Sequence, residues 1–201
     1  MFLQRMYRKT FYEMITEEPK NETFSSLKIE DVEEIDFRNC SFKNVDFTGS
    51  ELKTVGFIEC NFDNCDFSNS KLNECSIIKT EFQNCKMTGT DFSETYFHET
   101  EFVNSNMTYA NFTETRLKKV SFKNNKLENS SFNYVKLDKV VFKSDDMIDT
   151  EWLGTNLKNI DLSLCQIDGM IVDKNLIQGL IVNEQQAISL SKLLGIVVKE
   201  D

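Results

Sequence analysis

Large apolar residues recur at every fifth position of this chain. Phe37, Phe42, Phe47, Leu52, Phe57, Phe62 and Phe67 open the row, which continues through Leu72, Ile77, Phe82, Met87, Phe92, Phe97, Phe102, Met107 and Phe112. Extended both ways, the register runs from Leu27 to Val182. A second row, two residues earlier, is small or β-branched: Cys40, Val45, Ser50, Val55, Cys60, Cys65, Ser70, Cys75, Thr80, Cys85. The positions between are mostly Asp, Asn, Ser, Thr, Glu and Lys. A period of five matches neither the 3.6-residue helix nor the two-residue strand. Two inward residues in every five fit a chain that turns a corner each time, and four corners close a square coil of about twenty residues.

The longer period is present as well. Phe42, Phe62, Phe82, Phe102, Phe122 and Phe142 form one column, and Asn44, Asn64, Asn84, Asn104 and Asn124 form another. Identical side chains one strand spacing apart, about 4.8 Å, stack favourably. The pattern therefore predicts an all-β fold, a quadrilateral parallel β-helix of about eight coils and roughly 38 Å in length. Each coil would be held mainly by its neighbours.

The ends break the pattern, which predicts three segments: 1–26 as an N-terminal cap, 27–182 as the repeat, and 183–201 as a C-terminal capping helix with a dimerisation tail. Phe2, Met6, Phe11, Met14 and Phe24 are placed to cover the first coil, with a hairpin and a short helix both compatible with the polar turn around Pro19. At the other end, Asn183 followed by Gln186 reads as a helix capping box. Ala187, Leu190, Leu193 and Leu194 then form an apolar stripe, and Gly195 stops the helix. A lid needs only the helix. The further apolar run Ile196-Val197-Val198 points to a second copy, most simply through a two-fold axis.

Charge and composition narrow the function. The chain carries 23 Lys and Arg against 33 Asp and Glu, a net charge of −10, which argues against direct nucleic-acid binding. No apolar run approaches the roughly 20 residues of a membrane span. The opening MFLQRMYRKT lacks the apolar core of a secretory signal, so a cytoplasmic location is expected. With one His, no nucleophile–base pair, no Gly-rich phosphate loop and no metal-type Cys/His spacing, neither catalytic residues nor a metal or cofactor is expected. The six Cys fall in the small inward row. Cys40 with Cys60, and Cys65 with Cys85, would lie one coil apart, within reach of a bridge in principle. They read better as small apolar fillers in a reducing compartment.

Folding the sequence onto four walls separates its charges. The wall of Leu52, Leu72, Phe92 and Phe112 carries Glu51, Glu74, Asp91, Glu94, Glu114, Glu151 and Asp173 against Lys53, Lys71 and Lys174. Its neighbour, the wall of Phe47 and Phe67, carries Asp46, Asp66, Glu128, Asp146, Asp149 and Asp168 against Lys86 and Lys126. The wall of Phe37, Phe57, Ile77 and Phe97 is reversed, with Arg38, Lys79, Arg116, Lys118, Lys119, Lys136, Lys139 and Lys158 against four acids. Glu74, Glu94 and Glu114, twenty apart, would form one carboxylate column. A stiff acidic rod of this kind suits a protein groove built for duplex DNA.

The pentads Ala110-Asn111-Phe112-Thr113-Glu114, Cys65-Asp66-Phe67-Ser68-Asn69 and Thr90-Asp91-Phe92-Ser93-Glu94 resemble the A(D/N)(L/F)XX motif of the pentapeptide-repeat family. That resemblance implies a right-handed coil. The run from Gln186 to Val198 is similar to the helix-plus-tail of the Qnr-type members, which protect type II topoisomerases from quinolones. It implies a homodimer through Leu190, Leu193, Leu194, Ile196, Val197 and Val198. It further implies an acidic rod that binds DNA gyrase or topoisomerase IV in place of DNA. Glu74, Asp91, Glu94, Glu114, Asp46 and Asp66 are the acids expected to meet that partner. Unlike many Qnr-type proteins, the chain has no loop interrupting its register. The alternative is a non-enzymatic structural or protein-interaction solenoid with another partner and no topoisomerase role.

Overall fold

The computed structural model describes residues 18–199. They wind into a parallel β-solenoid of about eight turns closed by one C-terminal helix. One wall is a seven-stranded parallel ladder: Thr23–Ser25, Ser41–Lys43, Asn61–Asp63, Glu81–Gln83, Glu101–Val103, Ser121–Lys123 and Val141–Lys143. The next is a six-stranded ladder of Asp36–Arg38, Gly56–Ile58, Ser76–Ile78, Tyr96–His98, Arg116–Lys118 and Lys136–Asp138. The other two walls are joined mainly by single bridges such as Asp66↔Lys86 and Asp91↔Asn111. Residues twenty apart are partners, as in Phe42↔Phe62 and Phe97↔Leu117.

The corners explain one column of the sequence. Each is turned by a residue in the left-handed region, for example Asn44 at φ 52°, Asn84 at 55° and Asn104 at 50°. Asn tolerates this conformation better than most residues, and Gly, as at Gly89, adopts it freely. Backbone geometry thus accounts for the Asn column more than amide stacking does. Asn64 Nδ2 donates to Asn44 Oδ1 at 2.6 Å, but Asn84 Nδ2 turns to Asp63 instead.

The inward rows build the core. The rings of Phe24, Phe42, Phe62, Phe82, Phe102, Phe122 and Phe142 form an unbroken stack, with centroid spacings from 4.5 to 5.0 Å. A second stack runs through Phe92, Phe112, Phe132 and Trp152. The small row is more than filler. Many of its γ atoms donate to main-chain carbonyls of the preceding coil, as in Thr80 Oγ1 to Phe57 O at 3.1 Å and Cys75 Sγ to Leu52 O at 3.1 Å, and others, such as Ser50 Oγ to Phe47 O at 2.7 Å, donate within their own coil. Ser, Thr and Cys share a small volume and a donor at the same place, which is why they alternate there.

The N-terminal register departs from the expectation. Thr23–Ser25 is a wall strand, and Phe24 pairs with Phe42 at a spacing of 18 residues. Lys28 bridges Asp46 with the same offset, so Ile29, fully buried, takes the inward position and Leu27 falls in the small row. Register is regained at Val32↔Leu52. Two residues are missing from this first coil, and a row counted in fives cannot register that, because Leu27 and Ile29 are both apolar. The wall therefore begins upstream of Leu27. Phe2, Met6, Phe11 and Met14 lie outside the described residues.

The C-terminal helix α1 (Glu184–Ser191) carries the capping box: Gln186 N donates to Asn183 Oδ1 at 3.0 Å and Asn183 N to Gln186 Oε1 at 2.8 Å. Gly195 ends the following turn at φ 73°. The way the helix sits on the coil corrects the expected apolar stripe. Gln186 is its buried residue, donating from Nε2 to Leu162 O at 3.0 Å and Cys165 O at 2.7 Å. Ala187 is exposed and Leu190 only half-buried. A solenoid end presents unpaired carbonyls, and an amide satisfies them where a leucine cannot.

Candidate partner-binding surfaces

The six acids singled out from sequence fall into two kinds. Asp46, Asp66 and Asp91 occupy the position just before the inward Phe of their pentads. From there one carboxylate oxygen reaches across the corner to the backbone N–H two residues on: Thr48 N to Asp46 Oδ1 at 2.8 Å, Ser68 N to Asp66 Oδ1 at 3.0 Å and Ser93 N to Asp91 Oδ1 at 3.0 Å. Asn106 and Asn111 do the same with an amide oxygen. These acids are Asx-turn residues first, which is the physical content of the D/N in the motif. The hydrogen bonds from Thr48 hold the Asp46 carboxyl below the usual carboxylate range. Asp66 also lies 3.6 Å from Lys86 Nζ, and Asp91 accepts from Asn111 Nδ2 at 2.9 Å.

Glu74, Glu94 and Glu114 are different. All three are exposed, all turn a corner in the left-handed region, and none makes an ion pair or side-chain hydrogen bond among the described residues. They form the column that the twenty-residue period predicts. That column stands at the corner where the acidic wall meets the basic six-stranded wall. Glu94 and Glu114 line an open groove of about 800 Å³ together with Tyr96, Arg116, Tyr134 and Lys136. Sequence mapping by walls missed this adjacency, because a corner residue belongs to two walls at once.

Many other surface acids are paired with a lysine one coil further on: Lys79 Nζ to Glu59 at 3.1 Å, Lys119 Nζ to Glu99 at 2.6 Å and Lys71 Nζ to Glu51 at 3.8 Å. Such exposed pairs contribute at most about 1 kcal/mol each. They do set which charges remain uncompensated.

The second surface is apolar and lies at the C-terminal end. Val197 is 92% exposed, Ile196 51%, Val198 43% and Leu193 40%. Leu164, Ile171, Ile181 and Ile188 add exposed apolar area on the last coils and helix. The side chain of Leu194 lies outside the described residues. Scattered single apolar residues are ordinary on a surface, but a cluster of this extent at one end is not.

The cysteines are free and buried. Burial pushes the thiol of Cys60 up to about 12 and those of Cys75 and Cys165 up to about 11, so they are unreactive at neutral pH. Among the described residues there is no cluster of metal-ligating side chains, and no helix is long and apolar enough to cross a membrane.

Residues 55–132 match the family model described as a pentapeptide repeat region. No curated protein matches the chain. Similar solved structures include trypsin-treated QnrB1, a plasmid-mediated fluoroquinolone resistance protein, at 19% identity over 89% of this chain and 99% of that one, with a TM-score of 0.41. HetL, a pentapeptide repeat protein involved in heterocyst differentiation regulation from the cyanobacterium Nostoc, is 12% identical over 83% of this chain and 90% of that one, with a TM-score of 0.31. A pentapeptide repeat protein from the Arabidopsis thaliana thylakoid lumen is 16% identical over 73% of this chain and 71% of that one, with a TM-score of 0.25. The chain is thus similar to pentapeptide-repeat proteins: the family model covers residues 55–132, and the five-residue row and the four-cornered coil continue on both sides of it.

Proposed function

We propose that the chain is a non-enzymatic acidic rod that enters the duplex-DNA groove of DNA gyrase or topoisomerase IV and protects that enzyme from quinolones. The observation that carries this reading is the column Glu74, Glu94 and Glu114, exposed and uncompensated, beside Asp91 on the same wall. Carboxylates one coil apart repel by roughly 1 kcal/mol per pair in water. A basic groove that accepts the column relieves that repulsion on binding. Long-range attraction between an acidic rod and a basic saddle also accelerates encounter. The C-terminal apolar cluster supports a homodimer, which doubles the length of the rod. The similarity of Gln186 to Val198 to the Qnr-type tail points the same way.

Gyrase supercoiling in the presence of ciprofloxacin tests the reading. The wild-type protein should restore supercoiling across a range of concentrations. The triple variant Glu74→Lys, Glu94→Lys, Glu114→Lys should not, while keeping the wild-type circular dichroism spectrum. A triple variant as active as the wild type removes the acid column from the account. The other reading, an interaction solenoid with a different partner, is favoured by the basic wall opposite Asp46 and Asp66. Purified protein that neither binds gyrase or topoisomerase IV nor changes ciprofloxacin susceptibility in a susceptible bacterium decides for it.

A further inference from the structure

The six-stranded wall stops before the coil does. Lys136–Asp138 is its edge strand, and among the described residues no backbone hydrogen bond joins it to the following segment 156–158. The core nevertheless continues underneath, since Leu157 and Leu162 are fully buried. The cause is local. Residues 156–159 turn their corner in the manner of the bridge-type walls rather than extending as a strand. Their backbone groups therefore fall out of step with those of Lys136–Asp138. Leu137, whose counterpart Leu117 is fully buried, is left half-exposed at the seam.

Two cavities open there. One of about 650 Å³ follows the seam between Tyr134, Lys136 and Leu137 on one side and Gly154, Asn156 and Lys158 on the other. A smaller depression of about 190 Å³ adjoins it, with Leu117 and Leu137 in it and Tyr96, Arg116, Lys118, Lys136 and one acid, Asp138, around it. Arg38, Lys79 and Lys119 on this wall are paired with Asp36, Glu59 and Glu99. Arg116, Lys118, Lys136, Lys139 and Lys158 make no ion pair among the described residues. Tyr134 stands at the rim, 62% exposed and in the left-handed region at φ 57°, where a bulky residue is uncommon. Its ring lies over Gly154, where a Cβ would come within 2.3 Å of it.

We propose that this seam is a strand-addition site for an acidic, extended segment of a protein partner. The free edge of Lys136–Asp138 supplies main-chain donors and acceptors. The depression at Leu137 takes one apolar side chain, and carboxylates on either side of that residue meet Arg116, Lys118, Lys136 and Lys158. An apolar pocket inside a charged rim is the usual anatomy of a protein docking site. A nucleic-acid strand fits less well, because it brings no main-chain amides to pair with the edge of Lys136–Asp138 and no small apolar side chain for the depression at Leu137. The site lies on the wall opposite Asp46 and Asp66, and it stands whether or not the acidic column binds a topoisomerase.

Fluorescence anisotropy with a fluorescein-labelled Asp-Glu-Phe-Glu-Asp peptide tests the proposal on the full chain. The wild type should bind it, and the double variant Arg116→Glu, Lys136→Glu, altered only at exposed positions, should bind at least tenfold more weakly with an unchanged melting temperature. Replacing Phe of the peptide by Ala, or methylating its backbone nitrogens, should each weaken binding by a similar factor. No binding by the wild type, equal binding by the double variant, or equal binding of the backbone-methylated peptide overturns strand addition at the seam. An oligo-dT of matched charge that binds as well as the peptide overturns the choice of a protein segment.

Discussion

Asn125 Nδ2 donates to Asp145 Oδ1 at 2.9 Å, from one coil to the next inside the small row. The same oxygen accepts from Asn125 N at 2.8 Å, and Oδ2 accepts from Lys143 N at 2.9 Å. Above and below them the row holds Cys65, Cys85, Ser105 and Cys165, so this is a carboxylate in a column of thiols and hydroxyls. Asp145 is 1% exposed.

Burial pushes the Asp145 carboxyl up to about 6, against the three hydrogen bonds that favour its charge. A carboxyl whose folded value lies above its unfolded one contributes stability that is full at low pH and is lost as pH rises through the folded value. The window here runs from about pH 4 to about pH 6. A rise of about two units corresponds to about 3 kcal/mol. Asp145→Ser keeps an acceptor for Asn125 N, as Ser105 Oγ does for Cys85 N at 3.0 Å. The difference in melting temperature, variant minus wild type, should therefore grow in the variant's favour between pH 4 and pH 6 and stay level above. A difference independent of pH would show that Asp145 titrates normally.

The two kinds of surface acid should separate by stability. Asp66→Ala removes the acceptor for Ser68 N and for Ser68 Oγ, the latter at 2.6 Å, and should cost about 1 kcal/mol in urea unfolding. Glu94→Ala removes no hydrogen bond and relieves repulsion within its column, so it should be neutral or slightly stabilising. If both substitutions cost the same, the Asx turns do not hold the corners.

Gln186 predicts how the end of the solenoid is secured. Gln186→Leu keeps much of the volume but leaves the carbonyls of Leu162 and Cys165 without their donor and breaks the capping box. Loss of two buried hydrogen bonds and a cap should cost about 2–4 kcal/mol. Hydrogen exchange should show the loss concentrated in the last coil, since each coil leans mainly on its neighbours. Uniform loss along the rod would mean that the helix is not the seal.

The coil was legible because its information is periodic. Phe62 is inward for the same reason as Phe42, and one register accounts for the wall almost to its ends. What escaped the sequence lies where periodicity fails or is silent. The shortened first coil hides behind two apolar residues, Leu27 and Ile29. The break after Lys136–Asp138 has no mark in the five-residue row, since Leu137 and Leu157 are both in register. The acids Asp46, Asp66 and Asp91 are visible as charges, but their Asx-turn role is a property of the corner and emerges only with the backbone. The helix was placed by its capping box, while its contact with the coil was misjudged, because an apolar stripe is assumed to face inward.

That misjudged stripe leads to the tail. Leu193, Ile196 and Val198 each leave about 40–50% of their surface in water, and Val197 leaves almost all of it. A second copy related by a two-fold axis would cover the same residues on both chains. Val197→Asp should therefore leave the monomer's melting temperature unchanged within error, because its side chain buries almost nothing in the single chain. It should weaken the dimer by at least about 2 kcal/mol, or roughly 30-fold in Kd, when a buried apolar side chain becomes a buried charge. Deleting residues 196–201 should abolish the dimer outright, with the coil intact by circular dichroism. Light scattering across a concentration series distinguishes the cases. Dimers of unchanged affinity in both variants would place the contact elsewhere on the rod, and a wild-type protein that stays monomeric at every concentration would leave the apolar end for a different partner.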